Sequence, residues 1–348
     1  MPVLGSARYA SQSDKCRSGE QGLLLGGAAL RRSVSPADKS VTDAAREHRL
    51  GLAFTVAAFS FWGLIPIFWK LLVEVPAEQQ LAHRIFWCAI LMTVLLAVRG
   101  KMSGLGTVLS QPKTILALVL STAMIGTNWF IFLYSIATDQ LLQTSLGYFI
   151  NPLVSVFLGL IFLREHLRTA QWMACGLAAV GVGVMTWQLG SLPWISLALA
   201  FSFGLYGLLR KTVPAGPEEG LALETWILGP IAALYLVQRA ALGEPVLLGF
   251  GGGTAVALLL TGVVTALPLL WFTHGARRLP LSTVGMLQYI APTFQGLLAV
   301  FAFGEPFDSG RLVAFAFIWA GLAIFTIDVQ RSRRRRRREL EAAPAESG

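Results

Sequence analysis

Ten apolar stretches, most of them close to 20 residues, recur along the 348-residue chain with short breaks between them. They cover 50–70, 79–98, 115–137, 141–163, 170–188, 193–210, 221–240, 254–276, 281–303 and 311–330. A helix needs about 20 mainly apolar residues to cross the hydrocarbon core of a bilayer. The third and fourth stretches meet at Thr138, Asp139 and Gln140, and the break is placed there because one unbroken helix would far exceed a bilayer. Only 14% of the residues are charged, against about 25% in soluble domains, too few to cover a water-facing surface. The expected fold is therefore an all-α polytopic membrane protein with ten transmembrane helices.

Lys and Arg alternate in density from loop to loop. One set of loops carries Arg46 and Arg49, then Arg99, Lys101 and Lys113, then Arg164 and Arg168, then Arg210 and Lys211, then Arg277 and Arg278. The intervening loops carry only Lys70, Arg239 and Arg311. By the positive-inside rule both termini are expected in the cytoplasm, which an even number of spans satisfies. Residues 1–49, rich in Ser, Gly and Arg, read as a disordered cytosolic extension, since the apolar run Leu23–Leu30 is too short to span. Residues 331–348 form an Arg-rich cytosolic tail. Arg331 and Arg333 to Arg338 are expected near anionic lipid headgroups; no aromatic residue is interleaved for base stacking, so nucleic acid is not an expected partner.

The second half repeats the first at an offset of 140 over about sixty residues. Phe132/Phe272, Ile150/Ile290, Pro152/Pro292, Glu165/Glu305, Ala174/Ala314, Gly181/Gly321 and Thr186/Thr326 all coincide. A five-span unit has odd parity, so the second copy must enter the membrane from the opposite side. The expected domains are thus two inverted five-helix repeats, 50–188 and 193–330, an arrangement that secondary transporters use for alternating access.

The segments VPAEQQLAHRIFW (75–87), SLGYFINPLVSVFLG (145–159), GSLPWISLALAFSFGLYGLLRK (190–211) and AFIWAGLAIFTID (316–328) resemble the RarD-type subfamily of the EamA family, in the drug/metabolite transporter superfamily. The likeness runs over about residues 48–330. It implies a ten-span, 5+5 carrier that exports a small molecule, sited in the bacterial inner membrane.

Several residues are candidates for that task. Pro152 and Pro292 fall near the middle of corresponding spans, where proline frees a backbone carbonyl that can face a cavity. Tyr148 and Asn151 precede one, Gln288 and Tyr289 the other; Trp62, Asn128, Trp129 and Tyr206 complete the expected substrate-binding set. His83, Arg84 and Glu224 are ionisable groups inside spans, where each charge costs roughly 2.5–3.5 kcal/mol at the bilayer centre. Arg84 is expected to attract an anionic substrate, and His83 and Glu224 to couple a proton; pairing or anchoring within the bundle is the alternative for all three. Pro66 is a further lining candidate, and Glu165 and Glu305, at span ends, are expected to stabilise the helices.

No HExxH, P-loop or GxSxG pattern occurs, and Cys16, Cys88 and Cys175 have no ligand or disulfide spacing. Enzymatic chemistry, ATP-driven pumping, metals and cofactors are therefore not expected. A channel or lipid scramblase would share the polar cavity. Small residues in spans five and ten suit packing within a monomer or a homodimer contact.

Overall fold

The structure, a computed structural model, describes residues 36–138, 140–302 and 309–342. The chain divides into a leading unit, Met1–Arg46, of which only the start of the first helix is described, and a body, Glu47–Gly348. Every regular element among the described residues is helical. In chain order these are α1 (Pro36–Leu64), α2 (Pro66–Trp69), α3 (Ala77–Val98), α4 (Met102–Leu109), α5 (Pro112–Ala137), α6 (Leu141–Phe162) and α7 (Thr169–Leu189). There follow α8 (Trp194–Thr212), α9 (Pro217–Ala241), α10 (Gly252–Arg278), α11 (Leu281–Gln288), α12 (Ile290–Leu297) and α13 (Ser309–Ala342).

Nine helical segments among the described residues are long and apolar enough to cross a membrane. The expected sixth span, α8, is not among them: it has 19 residues and ends on Arg210 and Lys211, which lower its hydropathy. The expected extension 1–49 is helical from Pro36 onward, since proline's fixed φ and missing N–H suit a first helical turn. Residues 1–35, Glu305 and the side chains of Arg333 to Arg338 lie outside the described residues.

Proline sets the local breaks. Pro66 separates α2 from α1 at Ile65. The expected ninth span is interrupted at Tyr289 and closes with a π-helical turn, Leu298–Ala302. Pro292, three residues past the break, has no N–H and crowds the carbonyl of the residue four before it. Pro152, by contrast, is accommodated inside a continuous α6.

Helix pairs pack through small residues and buried polar groups rather than by exclusion of lipid-like surface. A Cβ on Gly181 would stand 2.8 Å from the Ala314 carbonyl oxygen, and one on Gly321 would stand 2.7 Å from that of Ala174. Glycine therefore sets the approach of α7 to α13. Elsewhere α6 packs on α8 and α11, and α3 on α9 and α10. Large apolar side chains such as Trp187, Ile231 and Phe301 face outward, whereas Thr55, Gln143 and Ser196 are buried. That distribution suits an apolar surrounding medium.

Candidate functional site

One half of the helical body holds a cavity of about 670 Å³. Its wall comes from the second half of α1, the first turns of α3, the second half of α5 and the first halves of α6 and α8, with Thr265 and Leu269 of α10 and residues of α11 and α12. Val73, Val75 and Pro76 border it at one end. Aromatic rings floor it: Trp62 lies 5.8 Å from Phe203 edge to face, and Phe203 packs 5.3 Å from Phe272 behind it.

Trp62, Arg84, Asn128, Trp129, Tyr148, Asn151, Gln288 and Pro292, all expected to bind substrate, stand together on this wall. Arg84 lies two turns into α3, with its guanidinium carbon 4.6 Å from the Trp129 ring centre and 5.7 Å from that of Trp69. Asn128 Nδ2 donates to the Leu199 carbonyl (3.0 Å) and to Ser202 Oγ (3.1 Å), clamping α5 to α8.

Pro152, Tyr206 and Tyr289 are placed off the wall. The Pro152 carbonyl meets Gly285 of α11, where a Cβ would come within 2.7 Å. Tyr289 donates its hydroxyl to the Phe149 carbonyl at 3.2 Å. Tyr206, fully buried, donates to Glu224 at 3.3 Å. Glu224 also accepts from Ser121 Oγ (2.5 Å) and lies 3.6 Å from Nε of Arg210, whose side chain is fully buried. That last contact is an ion pair rather than a hydrogen bond. His83 has both ring nitrogens engaged: Nε2 is 3.0 Å from the Val246 carbonyl, and Nδ1 accepts from Trp87 Nε1 at 3.2 Å. It ties α3 to the α9–α10 connection.

Trp69, Gln80, Phe203, Thr265 and Gln295 also line the cavity and escaped the reading of the sequence. Gln80 precedes Arg84 by one helical repeat, and Gln295 continues the face of Gln288 and Pro292, so spacing could have found both. Phe203 and Thr265 carry no such signal.

The opposite half of the body is closed by polar contacts. Glu165 accepts from the Leu281 N–H (2.6 Å), the Ser282 N–H (2.9 Å) and Ser282 Oγ (2.7 Å), capping α11 from the end of α6. Lys211 Nζ donates to the Ala276 carbonyl at 2.9 Å and also to that of Leu279; Arg277 donates to the Ala215 carbonyl. Arg99 donates to Glu218 at 2.6 Å, and Lys101 joins the same carboxylate. The hydrogen bond to Glu218 raises the Lys101 ammonium above the ordinary lysine range, so the contact persists at neutral pH and is lost only as pH rises through that raised value. Arg168 approaches Asp328 at 3.4 Å, and Arg278 reaches Glu47 at 2.7 Å. No group of three or more His, Cys, Asp or Glu among the described residues could hold a metal ion.

Comparisons with known proteins give the family of the chain. The profile of the EamA-like transporter family matches residues 49–187. Protein RarD of Escherichia coli (strain K12) is 43% identical over 291 residues, covering 84% of this chain and 98% of that protein. The uncharacterized transporter YojE of Bacillus subtilis (strain 168) is 45% identical over 288 residues, 80% of this chain and 94% of that one. The chloramphenicol-sensitive protein RarD of Pseudomonas aeruginosa is 29% identical over 297 residues, 83% and 97% of the two chains. A crystal structure that is 20% identical superposes with a TM-score of 0.62 over 82% of this chain and 98% of its own, a likeness of fold alone. With a membrane-crossing helical body and such relatives across almost their whole length, the chain is a multi-pass membrane protein and belongs to the EamA-like transporter family as a RarD-type member.

Proposed function

We propose that the chain is a secondary active transporter that exports a small organic molecule across the bacterial inner membrane by alternating access. The observation that carries this reading is the unequal occupation of the two halves: one holds the cavity, the other is closed by the Glu165, Glu218, Lys211 and Arg277 contacts. Positive-inside orientation puts the closed half in the cytoplasm with both termini, so the cavity belongs to an outward-facing state. Opening inward then requires release of the Glu165 cap on α11.

Ten spans follow if α8 crosses, and its 19 residues reach about 28 Å, close to the hydrocarbon thickness. Two inverted repeats, 50–188 and 193–330, are supported by contacts that repeat mates make crosswise. Gly181 meets Ala314 while Gly321 meets Ala174, Gly181 and Gly321 being mates at the 140-residue offset, as are Ala174 and Ala314. Tyr289 bonds to Phe149, its own mate. Wall residues come in mates too: Ile125 with Thr265, Trp129 with Leu269, Tyr148 with Gln288, Asn151 with Ala291. A two-fold axis through the cavity would produce all of these.

Coupling is assigned to Glu224. A proton there would cancel its pair with Arg210, loosening α9 from α8 just behind the wall. His83, with both nitrogens engaged, is a positioning residue in this scheme. The test is flux in liposomes loaded with a pH dye, screening amphenicols, which the name of one relative suggests, along with amino acids and organic acids. Saturable flux with proton movement that disappears in Glu224→Gln is the expected result. Unsaturable flux would replace the carrier with a channel or scramblase, and saturable flux unchanged in Glu224→Gln would remove the coupling assignment.

A further inference from the structure

Most polar groups on the cavity wall are already used inside the protein. Gln80 Nε2 donates to the carbonyls of Leu72 (2.9 Å) and Val75 (2.8 Å), and Gln295 Nε2 to that of Trp62 (3.1 Å). Gln288 Oε1 accepts from Ser155 Oγ at 3.0 Å, and Asn128 is committed to α8. Arg84 Nε, Asn151 Oδ1 and Thr265 Oγ1 are buried without a hydrogen-bond partner among the described residues.

Arg84 is the unusual one. The other arginine buried inside a span, Arg210, has Glu224, and nearer the helix ends Arg99 has Glu218, Arg168 has Asp328, Arg239 has Glu244 and Arg278 has Glu47, while Arg277 donates to the Ala215 carbonyl. No described carboxylate pairs with Arg84, which sits two turns inside the start of α3, whereas Arg99 caps the opposite end of that helix and has Glu218. What Arg84 has instead is two indoles, Trp129 and Trp69, which hold the guanidinium by cation–π attraction without consuming its N–H donors. A buried cation kept without a protein counter-ion is costly, and intramembrane charges of this kind mark ligand sites. The planar fork matches a carboxylate through two parallel hydrogen bonds.

We infer that the cavity takes an organic anion: a carboxylate seated on Arg84, a flat apolar body against Trp62 and Phe203, and a hydroxyl or N–H directed to Asn151. The volume of about 670 Å³ lies within the range of sites for drug-sized ligands. Phosphate-rich or polyanionic ligands do not suit it, because the wall offers one cation among aromatic rings. The inference rests on the transport reading only in naming this ligand a substrate; the binding claim stands on the wall chemistry alone.

The experiment uses a matched pair on the purified full chain in detergent: indole-3-acetate and indole-3-acetamide, equal in shape and different in charge. Binding is read by competition and by ligand-induced thermal shift. The acetate should bind at least tenfold more tightly than the amide. Arg84→Gln should lose that preference while keeping the amide's weak affinity, and Arg84→Lys should retain part of it. Equal binding of the two compounds, full acetate affinity in Arg84→Gln, or no binding of the acetate at millimolar concentration would each overturn the inference. The pair on the unaltered protein decides the matter even if a variant does not fold. Liposome flux of the same pair separates the two readings. Charge-selective binding without flux sinks transport and keeps the site, whereas flux without charge selection sinks the anion assignment and keeps transport.

Discussion

Arg84 and Glu224 look alike in sequence, as lone charges inside apolar runs, yet the fold gives them opposite circumstances. Glu224 is surrounded by Arg210, Ser121 and Tyr206, whereas Arg84 lines the cavity with the Trp129 and Trp69 rings against its guanidinium. The difference was illegible because Arg210 lies at a span end, where an arginine ordinarily reaches for headgroups; only the turn into α9 brings it back over Glu224. Gly220 makes the room, since a Cβ there would collide with the Arg210 guanidinium. Removing one member of such a buried pair typically costs about 3–5 kcal/mol. Arg210→Met should therefore destabilise strongly, and adding Glu224→Gln should recover much of the loss in a double-mutant cycle of unfolding in detergent. Simple additivity would show that the two charges are not coupled. Gly220→Ala should cost about 1–3 kcal/mol through overpacking, measured the same way.

Most helix positions were readable from the apolar runs, but α1 begins 14 residues before the expected first span, α13 runs 12 past the expected last one, and two local features were not legible. The α4 helix hides in MSGLGTVL, where two glycines and a serine mask the buried Leu105 and Val108. The cap on α11 depends on a left-handed residue that sequence would not propose. Arg164 has φ of 51° just past the end of α6, and the following N–H, on Glu165, bonds back to the Gly159 carbonyl at 3.1 Å. A left-handed position just past a helix usually carries glycine. It turns Glu165 onto Leu281 and Ser282 across Gly159, where a Cβ would crowd the carboxylate at 2.9 Å. Arg164→Gly should stabilise the protein by about 1 kcal/mol, since glycine lacks the left-handed penalty. Glu165→Ala should speed amide exchange at Leu281 and Ser282 while leaving the start of α7 unchanged; equal exchange at both would show that the carboxylate holds nothing there. At the α7–α13 contact, Gly181→Val and Gly321→Val should lose stability to similar extents, because the two glycines meet equivalent carbonyls.

For the whole molecule, the 140-residue offset is the ground on which inverted repeats are proposed, and the glycine mates Gly181 and Gly321 are contact points in the fold. What the sequence could not convey is which half stands open, because that depends on backbone caps and cross-helix bonds rather than residue type. Alternating access requires that one cavity be served by two entrances in turn. The most direct measurement replaces Cys16, Cys88 and Cys175 by alanine and labels a single cysteine placed at Tyr148, on the cavity wall, with a membrane-impermeant thiol reagent applied to one face of oriented liposomes at a time. In the unaltered background, reaction from the periplasmic-equivalent face alone is predicted, and with Glu165→Ala added, labelling should appear from the cytoplasmic face as the first declines. Labelling from both faces at once in the unaltered background would describe a continuous pore and contradict alternating access.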